Sequence, residues 1–342
     1  MGRSDKKYFK DLHQQAHNQL VLMLSLGESR KTGKINEEDL QKIYAKQTYT
    51  TYKKHINLFV RWVKEKHPEC TTLKAAKRHV NEWLQEIADK PETSASTIHT
   101  KAKALGKLYD IHPDSPNYFT PPKRRREDIK RSRVDAVRDK HFSVKNNDEF
   151  IKFCRGVGTR RAAIGRLTAD DLWSRADMIA ELKIAISGTG VSTNDGDSNI
   201  ISNIREALAT FPNQDYFVHF VGDKGGRSRF APIIGKNKRQ IVERMMNTLP
   251  GHKVWEHVPT NADIHSFRAD YATLLYKMYA RDVDKIPKGE KIRVGTKYKS
   301  SIYICRKDEA KKKLDRVAML KCSKALGHNR ESVVADHYLR AL

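Results

Sequence analysis

Cysteine is scarce in this chain, with four among 342 residues. Cys70, Cys154, Cys305 and Cys322 form no C-x-x-C pair and no zinc spacing, so neither a disulfide framework nor a structural metal site is expected. Long apolar runs are missing too. The longest, around Leu20 to Leu26, falls far short of the roughly 18 residues a spanning helix needs, and Met1-Gly-Arg-Ser-Asp-Lys-Lys7 is followed by no signal-peptide core. The chain therefore reads as soluble and intracellular, with no membrane partner. Acidic residues are few relative to basic ones: 41 Asp and Glu against 66 Lys and Arg, a formal charge of +25. Such an excess points to nucleic acid, because each cation placed on a phosphate releases condensed counterions. Ribosome association and solvated basic faces are the competing readings. What is present, 38% hydrophobic residues with 13 Tyr and 11 Phe, supports folded domains over disorder. The length fits two domains and a linker better than one domain.

Helical spacing dominates the first third. Tyr8, Phe9, Leu12, Ala16, Leu20 and Met23 predict a helix over 6–26, closed by Gly27 and a polar run to Lys34, and residues 1–35 form an N-terminal helical extension. Asn36 with the three acidic residues after it predicts a capped helix start. Stripes of Tyr52, Ile56, Phe59, Val60 and Val63, of Ala76, Val80, Trp83, Leu84 and Ile87, and of Ile98, Ala102, Leu105 and Leu108 predict a four-helix domain over 36–115. His112-Pro-Asp-Ser-Pro116 and Pro121-Pro122 then break the pattern. Residues 123–140 hold nine Lys/Arg against four Asp/Glu, so 116–141 reads as a basic interdomain linker. It is either a solvated connector or a strip along a DNA backbone, in which case Lys123, Arg124, Arg125, Arg126, Lys130, Arg131 and Arg133 are candidate contacts.

Residues 142–342 read as a mixed domain. Helices are predicted over 147–153, 159–167, 199–208, 236–248, 264–280, 307–326 and 330–339, and strands over 182–187, 217–221 and 229–234. The last two form a hairpin through Asp223-Lys-Gly-Gly226, with Arg227 beside its tip. Residues 297–305 add a strand or loop, and Asn194-Asp-Gly-Asp197 is a turn, since it lacks the spaced carboxylates of a calcium loop. The fold class is mainly α with a small antiparallel β-sheet.

Four stretches stand out: Gly158-Thr-Arg160, Gly222-Asp-Lys224-Gly-Gly, His265-Ser-Phe-Arg268, and Gly327-His328 followed ten residues on by Tyr338. In this order they resemble the catalytic half of the tyrosine site-specific recombinases, the family of phage and mobile-element integrases. The motifs cover about 142–342; for 36–115 the resemblance is one of architecture, a SAM-like core-binding domain ahead of a basic linker. The resemblance implies two domains that clamp double-stranded DNA and a tetramer on two recombination sites, with DNA-bending accessory proteins as further partners. It also implies a cytoplasmic, nucleoid-associated setting and a metal- and ATP-independent strand transfer without cofactors.

It assigns catalytic roles to Arg160, Lys224, His265, Arg268 and His328, and makes Tyr338 the nucleophile. Chemistry agrees. A phenol of pKa near 10 attacks poorly at neutral pH, so two guanidiniums are needed on the phosphate oxygens. Lys224 at a hairpin tip would protonate the leaving 5′ oxygen, and Tyr338 would be left in a 3′-phosphotyrosyl ester. Taken singly, each residue has a plainer reading: a surface arginine, a capping histidine, a turn lysine, a core tyrosine.

Departures from the family pattern are informative. Ala163 stands where an acidic residue usually follows the first arginine, so support of Arg160 is expected to differ, although Asp171 falls where an aspartate is expected. The stretches 188–210 and 281–306 read as insertions. Only four residues follow Tyr338; if Leu342 is the natural end, protomers exchange contacts through another element or only minimally. Integration or excision of a mobile element is the favoured outcome. Topoisomerase-like relaxation, telomere resolution and a catalytically inactive DNA-binding relative are the alternatives.

Overall fold

Apolar residues three and four apart build the N-terminal helices, as periodicity demands of a helix packed on one face. The computed structural model describes residues 11–28, 30–36, 41–124, 142–187, 199–223, 227–305, 309–328, 330–339 and 342. The chain divides into two compact units, Met1–Asp128 and Ile129–Leu342.

In the first unit, α1 (Leu12–Leu22) buries Leu12, Ala16 and Leu20. The polar run after it does not stay open: α2 (Arg30–Ile35) forms there, rich in straight-chain residues of good helix propensity. Asn36 donates its backbone N–H to the Thr32 carbonyl, so it ends this helix where a capped start was expected. Helix α3 (Lys46–Lys66) buries Ile56, Phe59, Val60, Trp62 and Val63. The short α4 (Leu73–Ala76) is capped by Thr72 and runs into a 3-10 turn, Lys77–His79. Then come α5 (Val80–Ala88) and α6 (Ala95–Leu108), capped by Ser94. Phe59 meets the Trp83 and Tyr109 rings edge-on at 5.5 and 6.3 Å. The apolar face of α1 shares this core, and each large side chain buried there contributes about 1.5–3 kcal/mol.

In the second unit, α7 (Asp148–Val157) ends at Gly158, whose φ of 61° is left-handed. Only one turn of the expected 159–167 helix forms, α8 (Arg161–Ile164). A 3-10 turn at Ala169–Asp171 leads to β1 (Leu172–Ser174), too short to leave an alternation in the sequence. The strand expected over 182–187 is instead the end of α9 (Arg175–Ser187). Its cause is a reciprocal cap: Asp177 accepts from the Ser174 backbone N–H and the Ser174 hydroxyl accepts from that of Asp177, which starts a helix that runs through the β-branched residues. Helix α10 (Ile200–Thr210) precedes β2 (Tyr216–Asp223) and β3 (Arg227–Pro232). β2 is the centre of an antiparallel β1-β2-β3 sheet.

Next come α11 (Lys238–Met246) and α12 (Ile264–Tyr279). The 281–306 stretch supplies β4 (Lys291–Val294), β5 (Lys297–Ser300) and β6 (Ile302–Ile304). β4 and β5 pair as a hairpin, and β6 pairs with β7 (Lys313–Asp315). Because β7 occupies residues expected to be helical, α13 (Arg316–Ala325) begins late, capped by Asp315. The last helix is α14 (Ser332–His337). Tyr271, Ala272 and Leu275 of α12, Met319 and Cys322 of α13 and Val334 of α14 share one buried cluster. A second lies between α7, α11 and the sheet. The architecture is mainly helical with small antiparallel sheets. The turn expected at 194–197 lies outside the described residues. Among those residues no helix is long and apolar enough to cross a membrane.

Candidate active site

The carbonyls at the C-terminus of α13 organise the site. Helix ends leave C=O groups without intrahelical partners, and cations satisfy them well. Here three guanidiniums do so. Leu326 O accepts from Arg268 Nη2 and, at 3.3 Å, from Arg160 Nη2, while Ala325 O accepts from Arg229 Nε at 2.7 Å. Gly327 turns the chain with φ 65°. A Cβ there would stand 3.0 Å from Arg229 Cδ, so glycine serves both the turn and the close approach of the arginine.

Arg268 is 1% exposed and lies in the second turn of α12, whose start Asp263 caps through the Ser266 N–H at 3.2 Å. Its Nη1 donates to Gly158 O, and its Nε to the Tyr338 hydroxyl at 3.3 Å. A guanidinium has five N–H groups, and three are engaged here. Arg160 precedes α8 in extended backbone and pairs with Asp223 through Nη1. Arg229 pairs with the same Asp223 oxygen. Burial, and then the charge of Arg268, push Arg229 down to about 9, so it stays cationic at neutral pH.

Tyr338 is 5% exposed. Its hydroxyl is 3.2 Å from His328 Nε2, and its ring centroid is 5.3 Å from that of His265. Desolvation first, then Arg268, Arg160 and Arg229, push His328 down to about 3, so its imidazole is neutral at pH 7. Desolvation of the packed face of His265, and then Arg268, lower His265 as well. His328 is held in place by its backbone, whose N–H donates to Ser323 O at 2.8 Å and whose carbonyl accepts from Ser323 Oγ at 3.0 Å.

Five of the six residues singled out, Arg160, His265, Arg268, His328 and Tyr338, thus come together. Lys224 lies outside the described residues, as do Arg125, Arg126, Lys130, Arg131 and Arg133. Arg227 opens β3 opposite Asp223 in the register, and Lys123 and Arg124 are exposed. Asp171 does not support Arg160: it accepts from the Thr168 N–H at 2.8 Å and ties its own turn. The carboxylate that holds Arg160 is that of Asp223, so its support differs from the family pattern as expected. Sequence spacing overlooked Asp223 and Arg229 because strand pairing brings them to Arg160. Their signal was the hairpin itself, which places the residue before Lys224 on the same edge.

Residues 36–115 match the family model of the phage integrase N-terminal SAM-like domain. No curated protein matches the chain. The matched stretch contains α3 to α6. A domain of this kind implies DNA binding and supports the integrase and recombinase family, and it is consistent with the tyrosine site-specific recombinases that the motifs of the second unit resemble.

Proposed function

We propose that this protein is a site-specific DNA recombinase that cuts and rejoins strands through Tyr338. The observation that carries the reading is the hydroxyl of Tyr338, placed between Arg268 Nε and a neutral His328 Nε2, near the two arginines, Arg160 and Arg229, that share Asp223. In the reaction, Arg160 and the two unengaged N–H groups of Arg268 bind the non-bridging oxygens of the scissile phosphate and offset the charge of the transition state. Tyr338 oxygen forms a bond to phosphorus as the bond to O5′ breaks. The phenol proton passes to His328 Nε2, and Lys224 protonates the departing O5′. The products are a 3′-phosphotyrosyl ester and a free 5′ hydroxyl. Attack by a 5′ hydroxyl from the second duplex reverses the step, and because the ester keeps the bond energy, neither ATP nor a metal ion is required. In this proposal residues 36–115 and 142–342 hold the duplex as a clamp across the basic linker of 116–141. Four protomers act on two sites, and the outcome is integration or excision of a mobile element.

A nicked suicide duplex carrying the target site tests this. The protein forms a covalent 3′ adduct that Tyr338→Phe abolishes. Arg160→Ala and Arg268→Ala lower cleavage about 10²–10³-fold, the cost of removing one transition-state charge stabiliser, with DNA affinity largely kept. Equal loss of binding and cleavage in both arginine variants refutes the catalytic assignment. Joining of two sites in trans separates recombination from relaxation.

A further inference from the structure

We propose that His67, Glu69 and His79 form a binding site for one divalent transition-metal ion of the zinc class. The three offer donor atoms that all lie within 4.8 Å of one another, from two places in the first unit. His67 caps the end of α3, Glu69 follows in the loop, and His79 ends the 3-10 turn before α5. Cysteine spacing gave no hint of it, because the donors here are imidazole and carboxylate, a set that suits zinc.

The surroundings prepare the donors. The two imidazole rings stack with centroids 3.5 Å apart, which brings their nitrogens close, and one ring turns out of the stack for both in-plane lone pairs to meet one ion. Along one edge runs Glu82, 2.8 Å from His79 Nδ1 and 3.3 Å from His67 Nε2. Metal-bound histidines are commonly held in this way, by a carboxylate on the ring nitrogen that does not bind the metal. On the other edge Arg78 Nε donates to His79 Nε2 at 2.9 Å. That nitrogen therefore carries the lone pair, and Nδ1 carries the proton given to Glu82. His67 Nδ1 faces the same side, 3.8 Å from Glu69 Oε1.

The Arg78 guanidinium stands where the metal would. It touches His79 Nε2, Glu69 Oε1 at 3.3 Å and Cys70 Sγ at 3.6 Å, so the spot already attracts a cation. Its side chain is 62% exposed and free to swing outward. Glu69, with 58% of its side chain exposed, can rotate to close the donors to the roughly 2.0–2.2 Å that zinc bonds require. Bound metal would tie the end of α3 to the start of α5, and a ligand that binds only the folded state stabilises it.

Titration of the full-length protein, stripped by a chelator and dialysed, with ZnCl2 tests the site by calorimetry and thermal unfolding. One saturable site and a raised melting temperature are expected, with affinity at least tenfold weaker in Glu69→Gln and His67→Gln and tighter in Arg78→Ala, which removes the competing cation. The chain has 14 histidines, so differences between variants are the readout. Binding that is unchanged in both Glu69→Gln and His67→Gln, weaker in Arg78→Ala, or not saturable overturns the proposal. Should His67→Gln fail to fold, Glu69→Gln at its exposed position and Arg78→Ala still decide. Metal binding is read here without DNA, so the result stands apart from the fate of the strand-transfer proposal.

Discussion

Asp223 pairs with Arg160 from the far end of β2, and the partners lie 63 positions apart in the chain. The carboxylate is 6% exposed and also holds Arg229. Asp223→Asn keeps the shape but leaves two guanidiniums without their counter-charge. Breaking a buried ion pair by removing one partner costs about 3–5 kcal/mol, and urea unfolding of the variant should show a loss of that order. Cleavage should fall with it, because Arg160 loses the group that aims it. A variant as stable as the parent would show that the carboxylate is not the anchor of this cluster.

His328 makes the fold sensitive to acid. Its folded pKa is about 3, below the ordinary histidine value near 6.5, so the unfolded chain binds the extra proton first. Stability is full above about pH 6.5 and falls as the pH drops toward 3. In His328→Gln the slope of unfolding free energy against pH in this window should be shallower. Identical slopes in parent and variant would exclude His328 as the source.

Gly158→Ala combines two penalties. A left-handed φ costs a non-glycine residue about 1–2 kcal/mol, and the new methyl would stand 2.3 Å from the buried Tyr271 ring, an overpacking worth about 1–3 kcal/mol more. Gly158 O is also a partner of Arg268. The variant should melt earlier and cleave more slowly; a melting temperature equal to that of the parent would contradict the packing described for α7 and α12.

Lys123 and Arg124 are exposed, and the proposed clamp would set them against backbone phosphates. Their replacement by alanine should reduce the slope of log affinity against log salt by about 1.8, since each phosphate contact contributes about 0.9. Single-turnover cleavage at saturating DNA should not change. An unaltered salt slope would assign both residues to solvent.

Much of the helical scaffold is legible in the sequence because burial of one face imposes a period. Ile56, Phe59, Val60 and Val63 mark α3, and Val80, Trp83 and Leu84 mark α5. The H-x-x-R pair is legible for the same reason: three residues apart on a helix is one face. The pairing of β2 with β3 is announced in the sequence by the Gly-Gly between two apolar runs. What stays hidden depends on pairing across distance. Asp223 meets Arg160 only once β2 is in register with β3 and α8 packs beside it, and the carbonyls of Gly158 and Leu326 carry no side-chain signature at all. The Leu182–Ser187 alternation misleads because the cap that decides its fate, Ser174 with Asp177, lies eight residues upstream of its start.

Helix α14 has six residues, fewer than the roughly 12–15 an isolated helix needs to hold itself together in water. Its order is borrowed from Val334, Ala335, Tyr338 and Leu339 pressed on the larger core. That makes the segment bearing Tyr338 a small cooperative unit, able to open without unfolding α12 beneath it. Amide protons of residues 334–338 should exchange with deuterium sooner than those of 271–276. Such separate opening would allow a tyrosine closed off in the free protein to reach a phosphate while the arginines stay where they are.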